Sequence, residues 1–141
     1  MDTKERITVE ESMTKGQLEA KISEIVSKYE VVYLGKGPKS IRTHILGDMI
    51  VIRMVSFLNQ SDKKLASTTK GVELFKEVQR HLFEEGKVQL AQMLMESINI
   101  TIVSSHMDIS TKTGEKVIIL SLREDLEAMI REDASISVYT S

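Results

Sequence analysis

Apolar and polar residues alternate along this chain with two different periods, and the places where the period switches mark out its elements. Leu18, Ile22, Ile25, Val26 and Tyr29 recur at helical spacing, with Glu19, Lys21, Ser23, Glu24 and Lys28 between them. That pattern is one buried stripe on an amphipathic helix. Thr14 and Gln17 have the T-x-x-Q spacing of a capping box, so the helix is predicted over 15–33. It stops at Gly35-Lys36-Gly37-Pro38, where two glycines and the only proline break it.

A period of two follows. Ile41, Thr43 and Ile45 alternate with Arg42, His44 and Leu46, and Gly47-Asp48 separates this run from a second, Met49–Phe57. A two-residue loop with Gly first suits a type II′ hairpin. Its register pairs Leu46 with Met49, His44 with Val51 and Arg42 with Arg53. One face is then Ile41, Thr43, Ile45, Ile50, Ile52 and Met54, a core face. The other carries Arg42, His44, Leu46, Met49, Val51, Arg53 and Val55, and is mixed.

Asn59 is placed to cap a short helix over 60–67, with Asp62 in its first turn. A longer helix is predicted over 69–97, with Val72, Phe75, Gln79, Leu82, Gly86, Leu90 and Met93 along one stripe. Gly86 on that stripe predicts a kink or a close approach by another backbone. Ile98–Ile109 and Lys116–Leu122 read as two strands joined by a polar turn, with Val103, Met107, Ile109, Ile118 and Leu120 inward. His106 and Asp108 then share the outer face with Val117 and Ile119. Ser121 and Glu124 form an S-x-x-E box, which predicts a short helix over 122–132 with Leu126, Met129 and Ile130 on its apolar side. Residues 1–13 read as a flexible leader, 14–132 as a single α+β domain, and 133–141 as a polar tail in which Ile136, Val138 and Tyr139 suit an edge strand. The order is α-β-β-α-β-β plus a short C-terminal helix. It predicts a four-stranded antiparallel sheet with the two main helices on one face.

Composition narrows the function more than it narrows the fold. The 141 residues are 41% hydrophobic and 28% charged, enough for one ordinary core. The net charge of −2, from 19 basic and 21 acidic residues, provides no field for nucleic acid or anionic lipid. There is no cysteine, which excludes disulfides, thiolate metal sites and cysteine catalysis and fits a reducing, cytoplasmic compartment. The N-terminal stretch lacks the apolar run of a signal peptide, and no segment has the ~20 apolar residues of a membrane span. No direct membrane insertion is expected.

Candidate chemistry is sparse. His44, His106 and Asp108 would hold a metal only if they converged, and no local ligand motif brings them together. The expectation is therefore no metal, no cofactor and no catalytic residue. Arg42 and Arg53, predicted opposite each other, repel by a few tenths to ~1 kcal/mol. A carboxylate between them, Asp108 first, or a bound anion relieves that. The 35–38 turn lacks the spacing of a phosphate loop and follows a helix instead of preceding one.

The segment Tyr33-Leu34-Gly35-Lys36-Gly37-Pro38, then Ile41-Arg42, then Gly47-Asp48-Met49-Ile50-Val51-Ile52-Arg53 resembles the MpsC-like proteins. The similarity continues through Leu58, Leu65, Gly71 and Arg80 to His106-Met107-Asp108-Ile109-Ser110-Thr111, spanning roughly 14–122. Where family members often carry a Thr-x-x-Glu box, this chain has Asn59-Gln60-Ser61-Asp62. The family is described as a component of a sodium-translocating, membrane-potential-generating system. The resemblance implies a non-enzymatic accessory protein whose partner is a membrane-associated cation or inorganic-carbon transport subunit, and it carries over no catalytic residue. The rival reading is a small-ligand or anion-binding domain using Arg42, Arg53 and His44. An enzyme using His106 and Asp108 ranks third. The half-apolar outer sheet face predicts a cover, either the C-terminal helix or, preferred here, a second copy of the chain in a homodimer.

Overall fold

In the computed structural model, which describes residues 13–132, Thr14 opens helix α1 (Lys15–Leu34) with the capping box its spacing predicts. The Thr14 hydroxyl accepts from the Gln17 amide at 3.1 Å, and the Gln17 side chain accepts from the Thr14 amide at 2.9 Å. Met13 packs against the core from the position before the cap. The remaining leader and the tail with its proposed edge strand lie outside the described residues.

The helix ends at Gly35, which is left-handed at φ 91° with its amide bonded to the Val31 carbonyl. A side chain there costs about 1–2 kcal/mol. Gly37 does not share that geometry, and a Cβ on it would meet only Val31 Cγ2, at 3.2 Å. Gly35→Ala should therefore destabilise by about 1–2 kcal/mol. Gly37→Ala should change stability by less than about 0.5 kcal/mol. Urea melts of both variants decide it; equal midpoints would show that the left-handed cap is not needed.

Strands β1 (Ser40–Leu46) and β2 (Met49–Val55) pair antiparallel in the predicted register, Leu46 to Met49, His44 to Val51, Arg42 to Arg53. Gly47 has φ 62° while Asp48 keeps a negative φ, as a type II′ turn requires. Asn59 caps α2 (Gln60–Leu65), whose first turn is closed by a reciprocal Asn59–Asp62 box. Asn and Asp thus supply both bonds of a capping box. The helix stops two residues short of its predicted end, and α3 (Thr69–Ile98) follows.

Three features of the C-terminal half differ from the sequence reading. First, α3 continues to Ile98 and turns at left-handed Asn99, so β3 (Ile102–Ile109) starts later than predicted. Second, a bulge between Ile102 and Ser104 in the pairing of β3 with β4 (Glu115–Leu122) shifts the inward phase. Val103, expected in the core, is 67% exposed. A bulge inserts one unpaired residue, and a period-two reading carried through it assigns the wrong face. Third, Ser121 lies inside β4, paired with Met49 and Ser104. The cap of α4 (Leu126–Arg131) is Asp125, which accepts from the Ala128 amide at 2.8 Å.

The strand order is β1-β2-β4-β3, all neighbours antiparallel. Both long helices lie on one face, where Ile45, Ile50, Ile52, Ile118 and Leu120 meet Leu18, Ile22 and Val26 of α1 and Leu90, Leu94 and Ile98 of α3. On α3 the buried residues include Phe83, Leu94 and Ile98 beside Phe75, Gly86 and Leu90, while Met93 is partly buried against the same core and Leu82 lines the cavity beside Glu30 and Lys116. At Gly86 the close neighbours are the Tyr29 and Tyr33 side chains of α1, not a backbone. Helix α4 joins this same core through Leu126. Its Glu127 accepts from the Gly47 amide at 2.8 Å and from Lys15 Nζ at 2.6 Å. The Lys15 hydrogen bond, then the Gly47 amide, hold the Glu127 carboxyl below its ordinary range. The C-terminal helix therefore braces the β1–β2 turn and the start of α1, and does not cover the outer sheet face.

Candidate functional site

The outer face is read most clearly as rows across the four strands. In the order β1, β2, β4, β3 the first row is Leu46, Met49, Ser121, Ser104. The second is His44, Val51, Ile119, His106, and the third is Arg42, Arg53, Val117, Asp108. Ser40, Val55 and Glu115 close the end. Alternation puts these side chains opposite the helix layer, because their strand neighbours Ile45, Ile50, Ile52, Ile118 and Leu120 point into the core. The result is an apolar centre of Met49, Val51, Val117 and Ile119, with arginines on the β1–β2 side and Asp108 on the β3 side. Among the described residues the helices leave its centre uncovered, α3 reaching only the Asp108 corner through Val72 and Lys76, and Leu46 remains 55% exposed.

All five candidate residues of the sequence reading fall on this one face, but they do not form a compact site. His44 and His106 share a row yet occupy opposite edges of the sheet. Three strand spacings of ~4.8 Å separate their backbones by about 14 Å, too far to share one metal ion. Among the described residues no group of three His, Asp or Glu side chains is placed to hold a metal.

Arg42 and Arg53 face each other as expected. The carboxylate beside Arg53 is Glu115, however, not Asp108. Glu115 Oε2 accepts from Arg53 Nη2 at 2.9 Å and from Nε at 3.2 Å. The β2–β4 register explains this: Glu115 is the diagonal neighbour of Arg53, two residues along β4 from Val117. Asp108 lies one strand further out, 3.7 Å from Lys76 Nζ and accepting from its neighbour's amide at 2.9 Å. His81, on the outside of α3, pairs with Glu85 at 3.2 Å.

The sequence reading misses a buried ion pair. Lys116 Nζ donates to both oxygens of Glu30, at 3.1 and 2.9 Å, with each side chain only 5% exposed. Lys116 points inward beside Ile118 and Leu120, and Glu30 follows Tyr29 on the core side of α1. Burial, and then the Glu30 charge, push the Tyr29 hydroxyl well above its ordinary value. The pair lines a cavity of about 150 Å³ between the end of α1, the 35–38 turn and α3. That is room for about five waters, well below the ~300 Å³ at which ordinary ligand pockets begin.

A second exposed apolar set, Leu74, Val78, Val88 and Met95 on α3, is split by the polar His81–Glu85 pair. The outer sheet face is the only continuous apolar surface among these features.

Over residues 14–124 the chain matches the family described as Na+-translocating membrane potential-generating system (MpsC). It is also 32% identical over 114 residues to the uncharacterised protein YbcI of Bacillus subtilis (strain 168), a similarity covering 81% of this chain and 92% of that protein. No solved structure matches it significantly.

Proposed function

The chain belongs to the MpsC family, and on that footing we propose that it is a non-enzymatic accessory protein. It docks, through the outer face of its sheet, at a membrane-associated cation or inorganic-carbon transport system on the cytoplasmic side. The observation that carries this reading is the uncovered row structure of that face, apolar at its centre and charged at its edges. An antiparallel sheet left to water is ordinarily polar on that side. No helix of the described residues is long and apolar enough to cross a membrane, so attachment runs through a partner. With the tagged chain expressed in its native host, part of it should sediment with membranes, and Val51→Glu should release it. A chain that stays in the soluble fraction throughout would overturn the reading.

Away from that partner the same face closes on a second copy of the chain, and docking replaces this homodimer. Val51 stands at its centre, so a glutamate there buries a charge in any complex formed on it. Light scattering should give twice the chain mass for the wild type and the single-chain mass for Val51→Glu. A wild-type monomer at high concentration would remove the homodimer.

A second reading has one observation in its favour. Glu115 answers Arg53, while Arg42 has no carboxylate partner among the described residues. An anion at Arg42 would raise the melting temperature in phosphate, and Arg42→Ala would abolish the rise.

A further inference from the structure

We infer that two copies of this chain pack their outer sheet faces together about a two-fold axis that runs parallel to the strands. The inference rests on the homodimer reading above and specifies its geometry. Two in-plane axes can bring one sheet face against its copy. An axis perpendicular to the strands keeps each strand over itself and reverses the levels along it. With its centre on the His44 row, it lays Arg42 over the partner's Leu46 and Arg53 over the partner's Met49, and leaves Asp108 over the partner's Ser104. That arrangement buries two guanidinium groups on apolar side chains and gains no new ion pair.

An axis parallel to the strands gains an ion pair instead. It preserves the level and reverses the strand order, so β1 lies over the copy's β3 and β2 over its β4. Every row then meets its own reverse. In the third row Arg42 lies over the partner's Asp108, and Asp108 over the partner's Arg42. In the second row Val51 lies over the partner's Ile119. Met49 lies over the partner's Ser121, and Val117 over the partner's Arg53, whose guanidinium already has Glu115, so the apolar centre is the Val51–Ile119 contact and its symmetry mate.

Charge complementarity selects this second arrangement. It also answers the arginine on the face that has no carboxylate of its own among the described residues. Packed sheets stand about 10 Å apart, a span that an arginine and an aspartate reaching toward each other can bridge. Lys76, 3.7 Å from Asp108, and Glu115, on Arg53, are the other charges at this level. Neither opposes the cross-chain pair, since one already shares the aspartate and the other neutralises the neighbouring arginine. Aligned sheets cross at about 30°, which tilts the axis by about 15° from the strands.

The area is modest. Four strands at ~4.8 Å and seven residues at ~3.4 Å make a face of roughly 450 Å² in plan. Two such faces together come to roughly 900 Å² in plan, the size of a small, reversible interface.

The test is a charge swap in the full chain, read by light scattering and by native mass spectrometry with one variant tagged. Arg42→Glu places two carboxylates opposite each other at both ends of the seam, and Asp108→Arg places two cations there. Each variant alone should dissociate at least tenfold more readily than the wild type. An equimolar mixture should restore a dimer of one chain of each kind. At one end the introduced glutamate of the first chain then meets the introduced arginine of the second. At the other end the native Asp108 of the first chain meets the native Arg42 of the second. The double variant Arg42→Glu/Asp108→Arg should also dimerise. Urea midpoints of the single variants check that each one folds. If the single variants dimerise like the wild type, or if the mixture does not pair while Val51→Glu still dissociates the dimer, the axis is wrong and the face remains the seam. If the wild type itself is monomeric, the homodimer reading fails first, and the face is left for a different protein.

Discussion

Lys116→Met should cost this protein about 3–5 kcal/mol, because it leaves the Glu30 carboxylate buried without the cation it pairs with. Against a typical total of about 5–15 kcal/mol, a loss of that size brings the fold close to its threshold. Glu30→Gln should be milder, since an amide still offers an oxygen to the ammonium, but the lysine charge is then unanswered. The informative variant is the double replacement Glu30→Leu/Lys116→Met. Removing both charges also removes their desolvation cost, so the double variant should recover most of the loss and melt near the wild type in urea. The adjoining cavity of about 150 Å³ is the competing term. If water in it solvates the pair, Lys116→Met will cost under about 1 kcal/mol and the double variant will show no recovery. The sign of the coupling between the two substitutions, read as a double-mutant cycle, separates a dry pair from a wet one.

That ion pair also marks the boundary of what the sequence makes legible. The first hairpin is fully legible: Gly47-Asp48 defines the turn, the turn sets the register, and the register sorts every residue from Ile41 to Val55 onto a face. The β1–β2 part of the outer face, with Arg42 opposite Arg53, follows from local chemistry alone. Lys116 is within reach of the same logic, because alternation with Ile118 and Leu120 already puts it inward. Its partner is not, since Glu30 is 86 residues away and no local period predicts which helix crosses which strand. Val103 goes to the wrong face because a bulge leaves no mark in an alternating pattern beyond the phase error it causes. Ser121 reads as a cap because S-x-x-E is satisfied by a strand residue as easily as by a helix start, and only the pairing with Met49 and Ser104 decides between them. Glu115 is hidden as the partner of Arg53 for the same reason. In sequence it is the last residue of a turn, and its diagonal contact appears only once β2 and β4 are known to be neighbours. Most of what is missed here depends on contacts between elements distant in sequence; the bulge and the helix ends at Leu65 and Ile98 are the local exceptions.

Gly71→Ala should be the most damaging of the glycine substitutions, although Gly71 has no need of a left-handed backbone. A Cβ built there overlaps the Leu65 carbonyl oxygen and stands 2.7 Å from the Leu65 carbonyl carbon. The obstacle is backbone, and no rotamer change relieves it. Gly86 is crowded differently: its Cβ would lie 2.6 and 2.9 Å from the Tyr33 ring and would overlap the Tyr29 hydroxyl. Those two rings stack at 5.5 Å with planes 7° apart, and they are side chains that can shift. For Gly86→Ala, overpacking of about 1–3 kcal/mol is partly offset by the ~1 kcal/mol of helix propensity that alanine returns. A net loss of about 1 kcal/mol follows. For Gly71→Ala the cheapest escape is to undock the α2–α3 junction. That breaks the bond from the Gly71 amide to Thr68 Oγ1, now 2.9 Å, and the turn held by the Ser67 hydroxyl on the Lys64 carbonyl. A helix cap is worth about 1 kcal/mol, and an exposed hydrogen bond at most about the same. The escape route thus limits the cost to about 2 kcal/mol, and it is open because α2 buries none of its residues. Amide exchange should quicken across residues 60–71 while the rest of α3 stays protected. A Gly71→Ala variant as stable as the wild type, with unchanged exchange in that stretch, would mean that α2 does not sit against the start of α3 in solution.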